Sequence, residues 1–343
     1  MTSDHASDGP SDIKRRGAAV SRRSALRGLT ALAAAGSAFA GQHAVAAPHM
    51  TVLVATTRQP ANGLLSKWFG SERGATTTLA RARLQESDGG PALSGLRDFT
   101  ITAVEPASRV AGLFAETRNR EVLVYVHGFN TTFENAVVSG ASLSDGVGFA
   151  GQTVVFTWPS RGTLFDYGYD RDSAMLSRRP LVQALDDLLA SEATGRVNVV
   201  AHSIGTMLAT QAMFELYKKH GAAAADRFGA IVLAAPDIDM DVFAAAIPQM
   251  GPLVAKITVV TATDDLALAV SQIVNGGTVR VGKAEAARLK RLGLLVIDGS
   301  QKGWDVINHN RFMSNADIRR EIHEAMDRCR GFWGCGQLTP AQK

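Results

Sequence analysis

From residue 48 onward, short apolar runs alternate with amphipathic stretches. The runs fall at 51–57, 99–104, 122–126, 153–158, 197–201, 230–235, 257–261 and 294–297. Several are unbroken stretches of Val, Ile and Leu, which is how strands buried on both faces read. Segments 134–143, 171–189, 204–220, 284–292 and 318–328 carry helical patterns. Alternation of this kind predicts βαβ units with right-handed crossovers, and so an α/β fold: a mostly parallel eight-stranded sheet with helices on both faces. Chemistry in such sheets gathers beyond the carboxyl ends of the strands. Residues 58–98 break the pattern, with Gly70-Ser71-Glu72-Arg73-Gly74 and Asp88-Gly89-Gly90-Pro91, and read as a long surface excursion between the first two strands. Nothing divides the body, so 48–330 is expected to be one domain, followed by a C-terminal tail at 331–343.

The N-terminus follows a different logic. Ser21-Arg22-Arg23-Ser24-Ala25-Leu26-Arg27 precedes a small-residue apolar segment at 29–40, and Ala38-Phe39-Ala40 and Ala44-Val45-Ala46 each give an A-x-A cleavage pattern. Residues 1–47 thus read as an export signal of the twin-arginine kind, although Ala25 stands where Phe is common. The expected partner of this segment is export machinery, and the expected location is periplasmic or secreted. The apolar segment is short and rich in Ala and Gly, a poor fit to a bilayer span.

Charge adds little. The chain carries a formal +4, with 46% hydrophobic and 20% charged residues. Residues 1–47 hold six basic and three acidic side chains, which leaves the body at +1. A nearly neutral body argues against nucleic acid as a partner. Cys329 and Cys335 are the only cysteines. In an oxidising compartment they predict a small disulfide loop, the alternative being two free thiols.

The candidate chemistry lies at strand ends. Val199-Val200-Ala201-His202-Ser203-Ile204-Gly205 closes one strand and opens a helix. This is the G-x-S-x-G elbow with Ala201 in the first place, and a tight strand-to-helix turn requires small residues two before and two after the serine. Ser203 is the candidate nucleophile. The helix beginning at Ile204 would aim its free amides at a developing oxyanion. Val126-His127-Gly128-Phe129 follows an earlier strand, so the backbone N–H groups of Phe129 and Ile204 are the candidate oxyanion hole. His202 is expected to point away from the site.

Of the eight histidines, His309 in the loop after the last strand is placed to act as base. The acid has several candidates. Asp265 follows the penultimate strand, with Asp264 beside it, and Asp237 and Asp239 follow the strand before. The order Ser, acid, His is the one this elbow arrangement uses.

Taken together, His127-Gly128-Phe129-Asn130 with Phe133, Phe156-Thr157-Trp158-Pro159-Ser160-Arg161-Gly162, Ala201-His202-Ser203-Ile204-Gly205, Ala234-Ala235-Pro236-Asp237-Ile238-Asp239, Asp265-Leu266-Ala267-Leu268 and His309 with Phe312 resemble a bacterial α/β-hydrolase family catalogued as of unknown function. The likeness spans roughly residues 52–312, and Ala55-Thr56-Thr57-Arg58 and 70–74 also fit. Members commonly read His-Ser-Met-Gly at the elbow, where this chain has Ile204. The resemblance implies an α/β-hydrolase fold and hydrolase chemistry, with the acid at Asp265 and the base at His309. It implies no agreed substrate.

Only about twenty residues separate Pro236 from Ile257, so no large cap is expected there, and an open site suits small esters. Trp158, Arg161 and Tyr167 are the candidate substrate-binding residues, offering aromatic faces and a cation. Core packing for Trp158 and pairing of Arg161 with Asp170 or Asp172 are the competing readings. The sequence holds no metal-ligand spacing and no phosphate loop, so no metal or cofactor is expected. The expectation is an exported serine esterase acting on a small ester or acyl substrate. The rivals are an acyltransferase using the same acyl-enzyme and a non-catalytic envelope binding protein on the same fold. The oligomeric state is left open.

Overall fold

The computed structural model describes residues 49–61, 67–87, 95–107, 117, 120–163, 166–300 and 309–329. The leader read at 1–47 and the tail at 331–343 lie outside these residues. Among the described residues, nine strands make one sheet: β1 (His49–Pro60), β2 (Phe69–Glu86), β3 (Phe99–Ala107), β4 (Arg120–Val126), β5 (Gln152–Thr157), β6 (Thr194–His202), β7 (Phe228–Ala234), β8 (Ile257–Thr261) and β9 (Leu295–Asp298). Their order is β3-β2-β1-β5-β4-β6-β7-β8-β9. From β1 to β9 every pair is parallel. Strands β2 and β3 add on antiparallel at one edge.

The helices are α1 (Phe133–Gly146), α2 (Tyr167–Leu176), α3 (Arg178–Ala190), α4 (Ile204–His220), α5 (Ala222–Arg227), α6 (Met240–Ala246), α7 (Leu266–Val274), α8 (Ala286–Lys290), α9 (Arg311–Ser314) and α10 (Ala316–Arg328). Because successive strand side chains point to opposite faces, each buried run feeds two cores. Val122, Val124, Val126, Val197 and Val199 pack on one side with Leu181 and Leu185 of α3 and Leu208 and Ala212 of α4. Leu123, Tyr125 and Val200 pack on the other with Phe133 and Val137 of α1 and Ile318 and Ile322 of α10. Each fully buried aliphatic side chain contributes about 1.5–3 kcal/mol, so a polar residue at Val124 would break both the sheet and the α4 contact.

Two expectations are corrected. Among the described residues the sheet has nine strands rather than eight, because much of the supposed excursion is the long strand β2. Its inner half reads Leu79-Ala80-Arg81-Ala82-Arg83-Leu84, with Ala80, Ala82 and Leu84 buried. A half-exposed antiparallel strand alternates and shows no continuous apolar run, so it hides among arginines and alanines. The helix expected at 171–189 is two helices that meet at Ser177. The Ser177 hydroxyl donates to the Ser173 carbonyl and bonds the Thr57 hydroxyl, and Pro180 falls in the first turn of α3, where its missing N–H is harmless.

Between β7 and β8 the chain holds only α6 and a 3-10 segment, Ile247–Lys256, so no large cap is inserted there. Among the described residues, no helix is long and apolar enough to cross a membrane. Cys329 is disulfide-bonded, and the sequence supplies one other cysteine, Cys335, outside the described residues.

Candidate active site

Strand β6 passes into α4 through one residue. Ser203 has φ 52° and ψ −124°, in the left-handed half of the map where a non-glycine residue stores about 1–3 kcal/mol of strain. The surroundings hold it there. Its N–H donates to the Ala234 carbonyl at 3.0 Å, and its carbonyl accepts from the N–H and hydroxyl of Thr206. Both glycines near the elbow are required by contact. A Cβ on Gly205 would stand 2.3 Å from the His127 carbonyl oxygen, and one on Gly128 would stand 2.8 Å from the Ser203 Cβ. The loop after β4 therefore runs directly over the turn after β6.

That loop is locked from beneath. His127 is fully buried and stacks on Trp158, with ring centroids 4.7 Å apart. Its Nε2 accepts the Trp158 N–H at 3.0 Å, so the ring proton sits on Nδ1 and donates to the Gly128 carbonyl at 2.8 Å. A trans peptide is planar, so a Gly128 carbonyl turned toward the imidazole turns the Phe129 N–H away from it. Burial, helped by the nearby Arg58 charge, pushes the His127 imidazole down to about 3. It is a neutral strut.

The candidate base and acid, His309 and Asp265, also meet. Asp265 caps α7: one carboxylate oxygen accepts the Leu268 N–H at 2.9 Å, and the other accepts from His309 Nδ1 at 2.8 Å. Asp265 is 0% exposed. With the proton on Nδ1, Nε2 of His309 carries the lone pair. The His309 ring lies 4.7 Å, centroid to centroid, from the ring of His202, the residue before the elbow serine. The other three carboxylates are engaged elsewhere. Asp264 makes a two-pronged pair with Arg311. Asp237 is buried against Arg280, Ser271 and Tyr167. Asp239 caps α6.

The three residues expected to contact substrate separate. Trp158 is fully buried, and its indole N–H is spent on the His127 carbonyl at 3.0 Å. It supports the loop and cannot touch substrate, because a large ring following a buried strand is consumed by the core. Arg161 pairs with Asp166 and lies over the Tyr169 ring at 3.7 Å. Its amide, not its guanidinium, meets Asp170. Tyr167 places its ring edge against Phe129 at 5.4 Å and donates its hydroxyl to Asp237 at 3.0 Å.

Two supporting residues, Arg58 and Asp170, had been given no role in holding the loop over Ser203 by the sequence. Arg58, 1% exposed, donates to the Thr131, Ser160 and Gly70 carbonyls and to the Thr157 hydroxyl. Asp170, also buried, accepts the Asn130 and Arg161 N–H groups and the Ser160 hydroxyl. These contacts hold Asn130 at φ 56°, just after the loop that covers Ser203. His202, expected to point away, lies within the site. Among the described residues, no group of three or more His, Cys, Asp or Glu is arranged to hold a metal ion.

Parallel sheet, elbow and covering loop define an α/β hydrolase. Residues 105–326 match the family described as alpha/beta hydrolase of unknown function (DUF900), and the chain belongs to that family. No curated protein matches. Among solved structures, a Pyrobaculum calidifontis esterase is similar at 14% identity, covering 73% of this chain and 80% of its own, with a TM-score of 0.35. Est1E from Butyrivibrio proteoclasticus is similar at 10% identity, covering 73% and 95%, with a TM-score of 0.40. A putative hydrolase of the alpha/beta superfamily from Xanthomonas campestris pv. campestris is similar at 17% identity, covering 60% and 99%, with a TM-score of 0.32.

Proposed function

We propose that this hydrolase is a serine esterase that cleaves a carboxylic ester or related acyl bond through an acyl-enzyme. Ser203 Oγ attacks the acyl carbonyl while His309 Nε2 takes its proton. His309 then returns that proton to the leaving alcohol as the ester bond breaks. Asp265 keeps the imidazole in the tautomer with its lone pair on Nε2. The N–H groups of Phe129 and Ile204 receive the oxyanion, the second from a helix terminus whose first amides have no intrahelical acceptor. Water, activated by the same imidazole, releases the acid. The observation that carries the reading is the 2.8 Å contact of Asp265 with His309, whose ring packs beside the elbow.

With no cap between β7 and β8, the reading favours small esters, and Tyr167 and Phe129 are the proposed wall. The leader at 1–47 is read as a twin-arginine export signal. Fusing it to a reporter that matures only when exported folded tests that part, and export that survives Arg22→Lys/Arg23→Lys would refute the route.

The test of the chemistry is fluorophosphonate labelling of the mature protein beside Ser203→Ala, followed by p-nitrophenyl esters of increasing chain length. Labelling of the wild type alone is expected, with turnover highest on short chains. Equal labelling of both proteins would remove Ser203 from the mechanism.

A further inference from the structure

We infer that His202 is a positioning residue that ties the loop bearing the base to the loop bearing the oxyanion donor, across the nucleophile. The inference rests on the reading of Ser203 and His309 given above.

The imidazole of His202 is a bridge with three contacts. Its Nε2 lies 3.3 Å from the backbone carbonyl of His309. A carbonyl only accepts, so the ring proton is on Nε2 and the bond points from His202 to the base residue. The ring packs, tilted, against two rings of the candidate base segment, with centroids 4.7 Å from His309 and 4.7 Å from Phe312. The other ring nitrogen borders the covering loop: a Cβ on Gly128 would stand 2.9 Å from Nδ1. One side chain thus spans the gap between residue 128 and residue 309, and its own backbone leads directly into Ser203.

His202 is 8% exposed. Burial, and then the adjacent His309, push its imidazole well below the ordinary histidine range, so at neutral pH it is an uncharged donor. The rest of the base segment is tied down on its far side, where Arg311 bonds Asp264 and the Gly299 carbonyl. The Nδ1 bond to Asp265 fixes the tilt of the His309 ring. The His202 bond fixes the height of its backbone above the elbow. Displacing a reacting group by about 1 Å lowers turnover on the order of 100-fold.

Two substitutions separate the hydrogen bond from the packing. His202→Phe keeps an aromatic ring between His309 and Phe312 but has no N–H. His202→Gln places an amide N–H where Nε2 was. With p-nitrophenyl acetate, His202→Phe is expected to lose roughly 10- to 100-fold in kcat with KM within about twofold. His202→Gln is expected to recover most of that loss. In imidazole NMR spectra, the His309 Nδ1 proton bonded to Asp265 should be resolved in the wild type and in His202→Gln, and broadened or lost in His202→Phe.

Wild-type kcat in His202→Phe, or equal losses in both variants with melting temperatures lowered in parallel, would overturn the inference. A wild type that fluorophosphonate fails to label at Ser203 would overturn the esterase reading instead. The NMR comparison still judges the His202–His309 link in that case, because it needs no turnover.

Discussion

Gly128 and Ser203 occupy one another's space: a methyl group on the glycine would stand 2.8 Å from the serine Cβ and 3.1 Å from the His202 carbonyl oxygen. Two of the contacts at that point are with backbone-proximal atoms that cannot swing away. Gly128→Ala should therefore push the covering loop off the elbow. The expected result is a destabilisation of about 1–3 kcal/mol together with a loss of kcat that exceeds any change in KM. Urea denaturation and ester hydrolysis measured on the same preparation check it. Wild-type behaviour in both would mean that the loop lies elsewhere.

Asp265 serves a helix and a histidine with different oxygens. Asp265→Asn can still cap α7, because Asn caps about as well as Asp. Its amide nitrogen, however, faces His309 Nδ1 as a donor and forces the ring proton onto Nε2. The expectation is a melting temperature near the wild-type value and a kcat lower by about 10⁴-fold. Activity within tenfold of the wild type would exclude Asp265 as the orienting acid.

The neighbouring carboxylates should behave differently. Asp239→Asn is expected to leave kcat unchanged, since that side chain caps α6, where Asn caps equally well, and otherwise bonds Thr278 rather than the His309 imidazole. Asp237→Ala leaves Arg280, 6% exposed, without its carboxylate, and should lower stability by about 3–5 kcal/mol. A 10³-fold loss of kcat in Asp239→Asn, with stability intact, would move the acid to β7.

The pH dependence of stability follows from His127. Its folded-state value is about 3, against an ordinary value near 6.5. Above pH 6.5 the ring is neutral in both states and contributes no slope. Between pH 6.5 and 3 only the unfolded chain takes up the proton, so stability falls as pH falls, by about 1.4 kcal/mol per unit for this one group. His202, shifted in the same direction, steepens the fall. Denaturant titrations from pH 7 to 4 measure it, and a His127 imidazole that titrates by NMR near 6.5 would contradict it.

Arg58 lies outside the matched family span, yet it holds residues 131 and 160 by their carbonyls. Arg58→Lys keeps the charge but loses the planar fork, leaving buried acceptors without donors. A loss of about 2–4 kcal/mol is expected, read as a lower denaturant midpoint. An unchanged midpoint would mean that β1 is dispensable to the covering loop.

What could be read along the chain was whatever short-range spacing enforces. The elbow at Ala201-His202-Ser203-Ile204-Gly205 was legible because a strand-to-helix turn tolerates few residue types, and the buried strands were legible because two-sided burial demands continuous apolar runs. Strand β2 was not, since an antiparallel strand with a half-exposed face asks only for alternation. Four aspartates stood at suitable strand ends, and local sequence treats them alike. Only the packed sheet, by setting the end of β8 beside the segment at 309, gave Asp265 the imidazole and engaged Asp237 with Arg280. For Trp158, where core packing stood beside a substrate contact, and for His202, expected to point away, the reason is the same: whether a ring ends in the core or against the segment at 309 depends on neighbours 30 to more than 100 residues away, and chain folding alone brings those into contact.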